Sequence, residues 1–122
     1  MPMLLLLLLL FACKKEGDDC SQYGPANITQ VRYMGKSDEE KSAFFDVSCL
    51  FADGCSSINR FLGTGRGDTV AVRAEAVLNK CANCIQTPMV QTRTFVFTPS
   101  APGTYYIKWE GLPNRTDTVH IP

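Results

Sequence analysis

The run Thr69-Val70-Ala71-Val72-Arg73-Ala74-Glu75-Ala76-Val77-Leu78 decides the fold. Val70, Val72, Ala74, Ala76 and Leu78 point one way, and Thr69, Arg73 and Glu75 point the other. Successive side chains alternate faces along a strand, so a period of two specifies a half-buried β-strand. The same pattern extends in both directions. Upstream lie a first strand at Ile28–Met34, ended by Gly35 and the polar Lys36–Ser42, and a second at Ala43–Phe51 with Phe45, Val47, Cys49 and Phe51 on one face. Asp53-Gly54 is a turn, Ser57–Leu62 a third strand, and Gly63-Thr64-Gly65-Arg66-Gly67-Asp68 a glycine-rich turn. Downstream come a cysteine-rich loop at Asn79–Thr87, a fifth strand at Gln91–Phe97 and a turn at Pro99–Gly103. The sixth strand, Thr104–Trp109, points Tyr105, Ile107 and Trp109 inward. Gly111–Asn114 turns into a seventh, Thr116–Ile121.

Composition agrees. The chain has 122 residues, 45% apolar, with 12 basic and 12 acidic side chains. That balance offers no charge excess to nucleic acid, and no nucleic-acid partner is expected. Beyond residue 12 only four Leu remain, beside eight Val, ten Thr, six Phe and four Tyr. β-branched and aromatic residues suit a pleated, half-buried surface. A helical bundle, a coiled coil and a multi-pass membrane protein are excluded.

Residues Met3 to Ala12 are apolar. A bilayer-spanning helix needs about twenty such residues, so this run has the length of a signal-peptide core instead. No Lys or Arg precedes it. It ends Leu10-Phe11-Ala12-Cys13, which resembles the lipobox of bacterial lipoproteins: aliphatic at −3, small at −1, then cysteine. The resemblance implies that residues 1–12 are a signal peptide, and that lipidated Cys13 becomes the mature N-terminus and anchors the chain in a membrane. The next residues, Lys14-Lys15-Glu16-Gly17-Asp18-Asp19, look like the acidic stretch of surface-exported lipoproteins of Bacteroidota-type bacteria. Lys14, rather than Asp, follows the cysteine, so the inner-membrane retention signal is missing. The expected location is the outer membrane, with its outer leaflet included. Residues 13–26 read as a flexible tether with a reach of about 20 Å, and residues 27–122 as the folded domain.

Seven strands in roughly a hundred residues match an immunoglobulin-like antiparallel β-sandwich. Pro102-Gly103-Thr104-Tyr105-Tyr106-Ile107 resembles the turn into strand F of immunoglobulin-like domains. Phe95 to Trp109 as a whole resembles the C-terminal part of small Ig-like lipoproteins from the same bacteria. The resemblance makes Tyr105 a corner tyrosine whose phenol bonds back to nearby backbone. Trp109 on the sixth strand, not the third, separates the chain from antibody domains.

Beside Cys13 there are Cys20, Cys49, Cys55, Cys81 and Cys84. An exported chain folds where disulfides persist, and an odd number leaves one thiol over. Immunoglobulin strand order brings the loop holding Cys55 and the loop holding Cys81 and Cys84 to one pole. The expected bridges are Cys55–Cys84 and Cys49–Cys81, with Cys20 left over. The alternative for Cys81-Ala82-Asn83-Cys84 is a CxxC for thiol-redox or metal chemistry. That needs a helix N-terminus in a βαβ unit, or a second ligand pair. Neither is legible, so no metal or cofactor is expected.

Arg66-Gly67-Asp68 is a tripeptide that integrin-like receptors read, and a candidate partner contact; the plain alternative is a tight turn. Asp68-Thr69-Val70 and Asp117-Thr118-Val119 resemble the Asp-Thr/Ser-apolar acceptor of O-glycosylation in Bacteroidota-type envelopes. That implies sugar on Thr69 and Thr118; the alternative is two ordinary strand starts. Asp38-Glu39-Glu40 reads as a solvated turn rather than a calcium site. The single His120 lies between Val119 and Ile121 without a nucleophile motif, so no catalytic residue and no enzyme are expected. Tyr106, Lys108 and Arg73 form a candidate outward stripe for a partner or glycan. The expected role is a non-enzymatic binding, adhesion or assembly module of the cell envelope. Its partner, protein or glycan, would meet the pole carrying Asp38–Lys41, Arg66–Asp68 and Pro99–Gly103.

Overall fold

The computed structural model describes residues 20–122. The expected signal peptide, Cys13 and the first part of the tether lie outside the described residues. The chain forms seven strands: β1 (Ser21–Ser37), β2 (Ser42–Phe51), β3 (Ser56–Arg66), β4 (Thr69–Asn79), β5 (Met89–Phe97), β6 (Gly103–Trp109) and β7 (Leu112–Ile121). β4 alternates as its sequence requires, with Val72 and Ala74 buried and Ala71 and Arg73 exposed. β2 is the most buried strand: Ala43, Phe45, Val47 and Cys49 have no exposed surface. It is flanked by β1 and β5.

β1 governs the architecture. Ser21–Ala26 pairs with β4, and from Asn27 onward the same strand pairs with β2. One hydrogen-bonded sheet therefore runs β5-β2-β1-β4-β6-β7, with β3 on the far side of β4. It curls back at β1, so that its two halves face each other across a shared core. Phe45 of β2 meets Trp109 of β6 with ring centroids 5.1 Å apart, and Phe95 of β5 meets the same indole at 5.7 Å. These edge-on contacts add to the apolar area they bury. Trp109 Nε1 donates to Asp117 Oδ2 at 2.7 Å, and Arg115 holds both carboxylate oxygens at 2.8 and 3.0 Å. The indole thus enters the core with its donor satisfied.

Three expectations are corrected. Residues 21–26 are strand, not tether, because their backbone continues the ladder along β4. β3 and β4 pair up to Arg66 and Thr69, so the glycine-rich turn shrinks to Gly67-Asp68, with Gly67 at φ +64°. Glycine in the first position of a two-residue hairpin turn permits that angle. The pairing is also not antiparallel throughout: β4 and β6 run parallel from Thr69 to Val72. β5 returns through the other half of the sheet, so β6 starts at the same end as β4 and runs in its direction.

Side chains close the two seams between the halves. On one side Gln91 of β5 bonds Ile58 N–H and Ser56 C=O of β3, and Arg93 donates to Ile58 C=O at 2.8 Å. On the other, Lys36 donates to His120 C=O at 2.7 Å and Lys41 to Pro122 C=O at 2.9 Å. Near the point where β1 changes partner, the β6–β7 turn presses against it. Gly111 has φ +102°, and a Cβ there would sit 2.8 Å from Ile28 O. Gly111→Ala should therefore cost about 1–3 kcal/mol through backbone strain. Gly24 has open space and no such angle, so Gly24→Ala should be close to neutral. Urea unfolding of the two variants checks the contrast.

Candidate functional site

The cysteines gather at one end. Cys20 bridges Cys81 with Cα atoms 5.2 Å apart, and Cys55 bridges Cys84 at 5.3 Å. Backbone bonds frame them: Lys80 N–H donates to Cys20 C=O at 2.7 Å, Asn79 N–H to Cys55 C=O at 2.9 Å and Gly54 N–H to Ile85 C=O at 2.8 Å. The Cys55–Cys84 pair is the one for which the strand order argued. The expected Cys49–Cys81 pair is not formed. Cys49 points into the core from β2, opposite Ile28 and Gln91, while Cys81 lies in the loop beyond β4. The extension of β1 along β4 brings Cys20 to that loop instead. Ser21–Ala26, polar and holding Gly24 and Pro25, carries no strand pattern that would signal this contact. Cys81 and Cys84 thus bond to two different partners and do not form a dithiol pair. Among the described residues no cluster of three His, Cys, Asp or Glu is placed to hold a metal.

Cys49 is a free, buried thiol. Desolvation by burial pushes it from its ordinary 9.0 to about 11, so little thiolate forms at neutral pH.

The opposite end carries the elements expected to face a partner. The β3–β4 hairpin presents Arg66, Gly67 and Asp68 there, with Asp68 C=O accepting from Tyr106 N–H at 2.9 Å. The β1–β2 turn is set by Lys41 at φ +56°. Ser42 Oγ lies 2.6 Å from Thr98 Oγ1, which ties that turn to the β5–β6 loop. Tyr105 Oη donates to Ala101 C=O at 2.5 Å, pinning the loop as a corner tyrosine does. Lys41, Pro99, Ser100, Ala101, Pro102 and Ile121 line a small cavity of about 200 Å³ at this end. At the disulfide end an open groove of about 310 Å³ runs past Tyr23, Pro25, Leu50 and Leu78.

The outer face of the β3-β4-β6-β7 half collects the remaining candidates. Thr69, Tyr106 and Thr118 lie in one row across β4, β6 and β7, and Ala71, Lys108 and Thr116 in the next. Thr118 and Lys108 are exposed, Thr69 is half-buried and Tyr106 is 38% exposed. Arg73 occupies the same face of β4 two residues beyond Ala71. Nothing in the sequence signals the Glu75 cluster beside it. Hydrogen bonds from Asn59 (2.8 Å) and Arg60 (2.9 Å) hold that carboxyl below its ordinary range. These partners meet only through the β-bulge between Ile58 and Arg60.

Residues 45–121 match the model of a family described as the ORF11 beta-sandwich domain. Comparison with curated proteins returns no match, and neither does comparison with solved structures.

Stability should report on Cys49. The unfolded thiol ionises before the folded one, so the unfolded state binds fewer protons between about pH 9 and about 11. Stability falls as pH rises through that window. Cys49→Ala should remove this slope. In the native chain Cys49 should resist alkylation at pH 8 until denaturant is added, as read by intact mass.

Proposed function

The chain belongs to the ORF11 beta-sandwich domain family, and we propose that it is a non-enzymatic binding, adhesion or assembly module held on the outer membrane by lipidated Cys13. The immunoglobulin-like likeness forms part of this reading. It draws on the seven strands and on the Tyr105 corner bond, while the parallel β4–β6 pairing sets this chain apart. The anchoring rests on the lipobox ending Leu10-Phe11-Ala12-Cys13. Two disulfides suit an oxidising compartment outside the cytoplasm.

One observation carries the binding reading. Cys20, where the chain enters the domain, lies at the disulfide end, and the Arg66-Gly67-Asp68 hairpin lies at the opposite end. A chain anchored just upstream of Cys20 would lift that hairpin away from the bilayer. There it projects on a two-residue turn with Arg66 exposed. The partner on this reading is a protein or a glycan. Sugar on Thr69 and Thr118, if attached, would sit beside Tyr106 on the same outer face.

Two measurements test the proposal. Cells fed an alkyne-tagged fatty acid should label the wild-type chain, and Cys13→Ser should abolish the label. Purified chain should adhere to target cells, and changing both Arg66 and Asp68 to Ala should remove most of that adhesion. Full adhesion by the double variant would sink the hairpin as the contact.

A further inference from the structure

Every free strand edge is an open row of backbone donors and acceptors, and folded proteins usually blunt it. Here the end of β7 has its His120 carbonyl capped by Lys36, and the Pro122 carbonyl just beyond the strand is capped by Lys41. The first part of β3 is capped by Gln91 and Arg93. The stretch Phe61–Arg66, like the outer edge of β5, carries no such cap among the described residues. β3 pairs only with β4. The hairpin closes on Arg66 and Thr69, so Arg66, Thr64 and Leu62 turn their backbone groups to β4, and Gly65, Gly63 and Phe61 turn theirs outward. Ile58, before the bulge, faces the same way, as its bonds to Gln91 and Arg93 attest. Gly65, Gly63 and Phe61 have no such partner among the described residues.

The faces beside this edge are specific. Gly63 and Gly65 lie opposite Val72 and Val70 on the core side and contribute no side chain. A Cβ at Gly63 would meet only Val70 Cγ1, at 3.5 Å, and one at Gly65 nothing within 4 Å. Half-buried Phe61 and Val70 border that notch. On the outer side stand Arg60, Leu62, Thr64 and Arg66. Arg60 is held by Glu75 at 2.9 Å, whereas Arg66 has no ion-pair partner among the described residues.

We propose that the Phe61–Arg66 edge of β3 receives an extended, acidic segment of a partner protein as an added strand. Main-chain bonds at Phe61, Gly63 and Gly65 supply affinity. An apolar side chain in the Gly63–Gly65 notch and a carboxylate beside Arg66 supply selection. A second copy of the chain fits poorly. The antiparallel register that uses all three edge residues of both copies pairs Phe61 with Gly65, and it sets Arg60 against Arg66 twice. Like charges directly opposite are destabilising. The inference deepens the binding-module reading and rests on it for a natural partner.

The test uses the full chain and a fluorescein-labelled octapeptide of alternating Glu and Val, read by anisotropy. Directly opposite residues share a face, so the Val residues fall beside Gly63 and Gly65 and turn their N–H groups to β3. N-methylation of the Val residues should weaken binding by about tenfold or more, and N-methylation of the Glu residues should not. Replacing Glu by Lys should weaken it similarly, and Arg66→Glu should reverse that preference. Gly65→Val, filling the notch, should also reduce affinity; Arg66→Glu, at an exposed position, keeps the test open if that variant misfolds. No binding up to millimolar peptide, equal loss with either N-methylated peptide, or self-association of the chain in place of peptide binding would overturn the proposal. Failure here with adhesion still lost on Asp68→Ala would remove the edge site and leave the hairpin reading standing.

Discussion

The change of partner along β1 is the constraint on which the rest depends. Its first six residues belong to β4 and its remainder to β2. The two partners take successive, non-overlapping lengths of β1, so the sheet bends between them, and the bend lays one half over the other. Phe45 then reaches Trp109 and Phe95, and the apolar faces of β2, β4, β6 and β7 merge into one core. The bend also explains the glycine at 111. The β6–β7 turn must pass against Ile28 as β1 crosses over, and no side chain fits between them.

Closing a curled sheet leaves seams and edges, and long polar side chains deal with them. Gln91, Arg93, Lys36 and Lys41 each reach across to backbone groups that no strand pairs. Charged and amide side chains suit the task, because their stems lie along apolar surface while their heads bond at the rim. The disulfides complete the closure at one end. They join residues 61 and 29 positions apart, and the chain-entropy argument gives each about 4 kcal/mol of stabilisation. Covalent closure is thus concentrated where the chain enters the domain. The far end is left with short turns, a corner tyrosine and an uncapped length of β3.

Much of this was written locally. Thr69–Leu78, Ala43–Phe51 and Thr104–Trp109 carry period-two patterns that specify strands and name the core, and Val72, Phe45, Ile107 and Trp109 are buried as those patterns require. The Tyr105 corner was legible from Pro102-Gly103 before it. Turn lengths were less legible. Gly63 and Gly65 suggest a loop by composition, yet they pair in register with Val72 and Val70. Ladder bonds need no side chain, so glycine in a strand leaves a weak sequence trace.

The cysteines separate what each level decides. The sequence by itself determined that several thiols would meet at one pole, because loop order and strand parity are local properties. It could not choose Cys20 over Cys49 as the partner of Cys81. Ser21–Ala26, with its Gly24 and Pro25, has no apolar alternation, and only the backbone ladder offered by β4 makes it a strand. That ladder exists only after β4 has been placed by the core. Pairing between distant segments is a contact energy, not a pattern along the chain. The bridge from Cys20, the parallel meeting of β4 with β6 and the exposed edge of β3 were therefore decided in three dimensions alone.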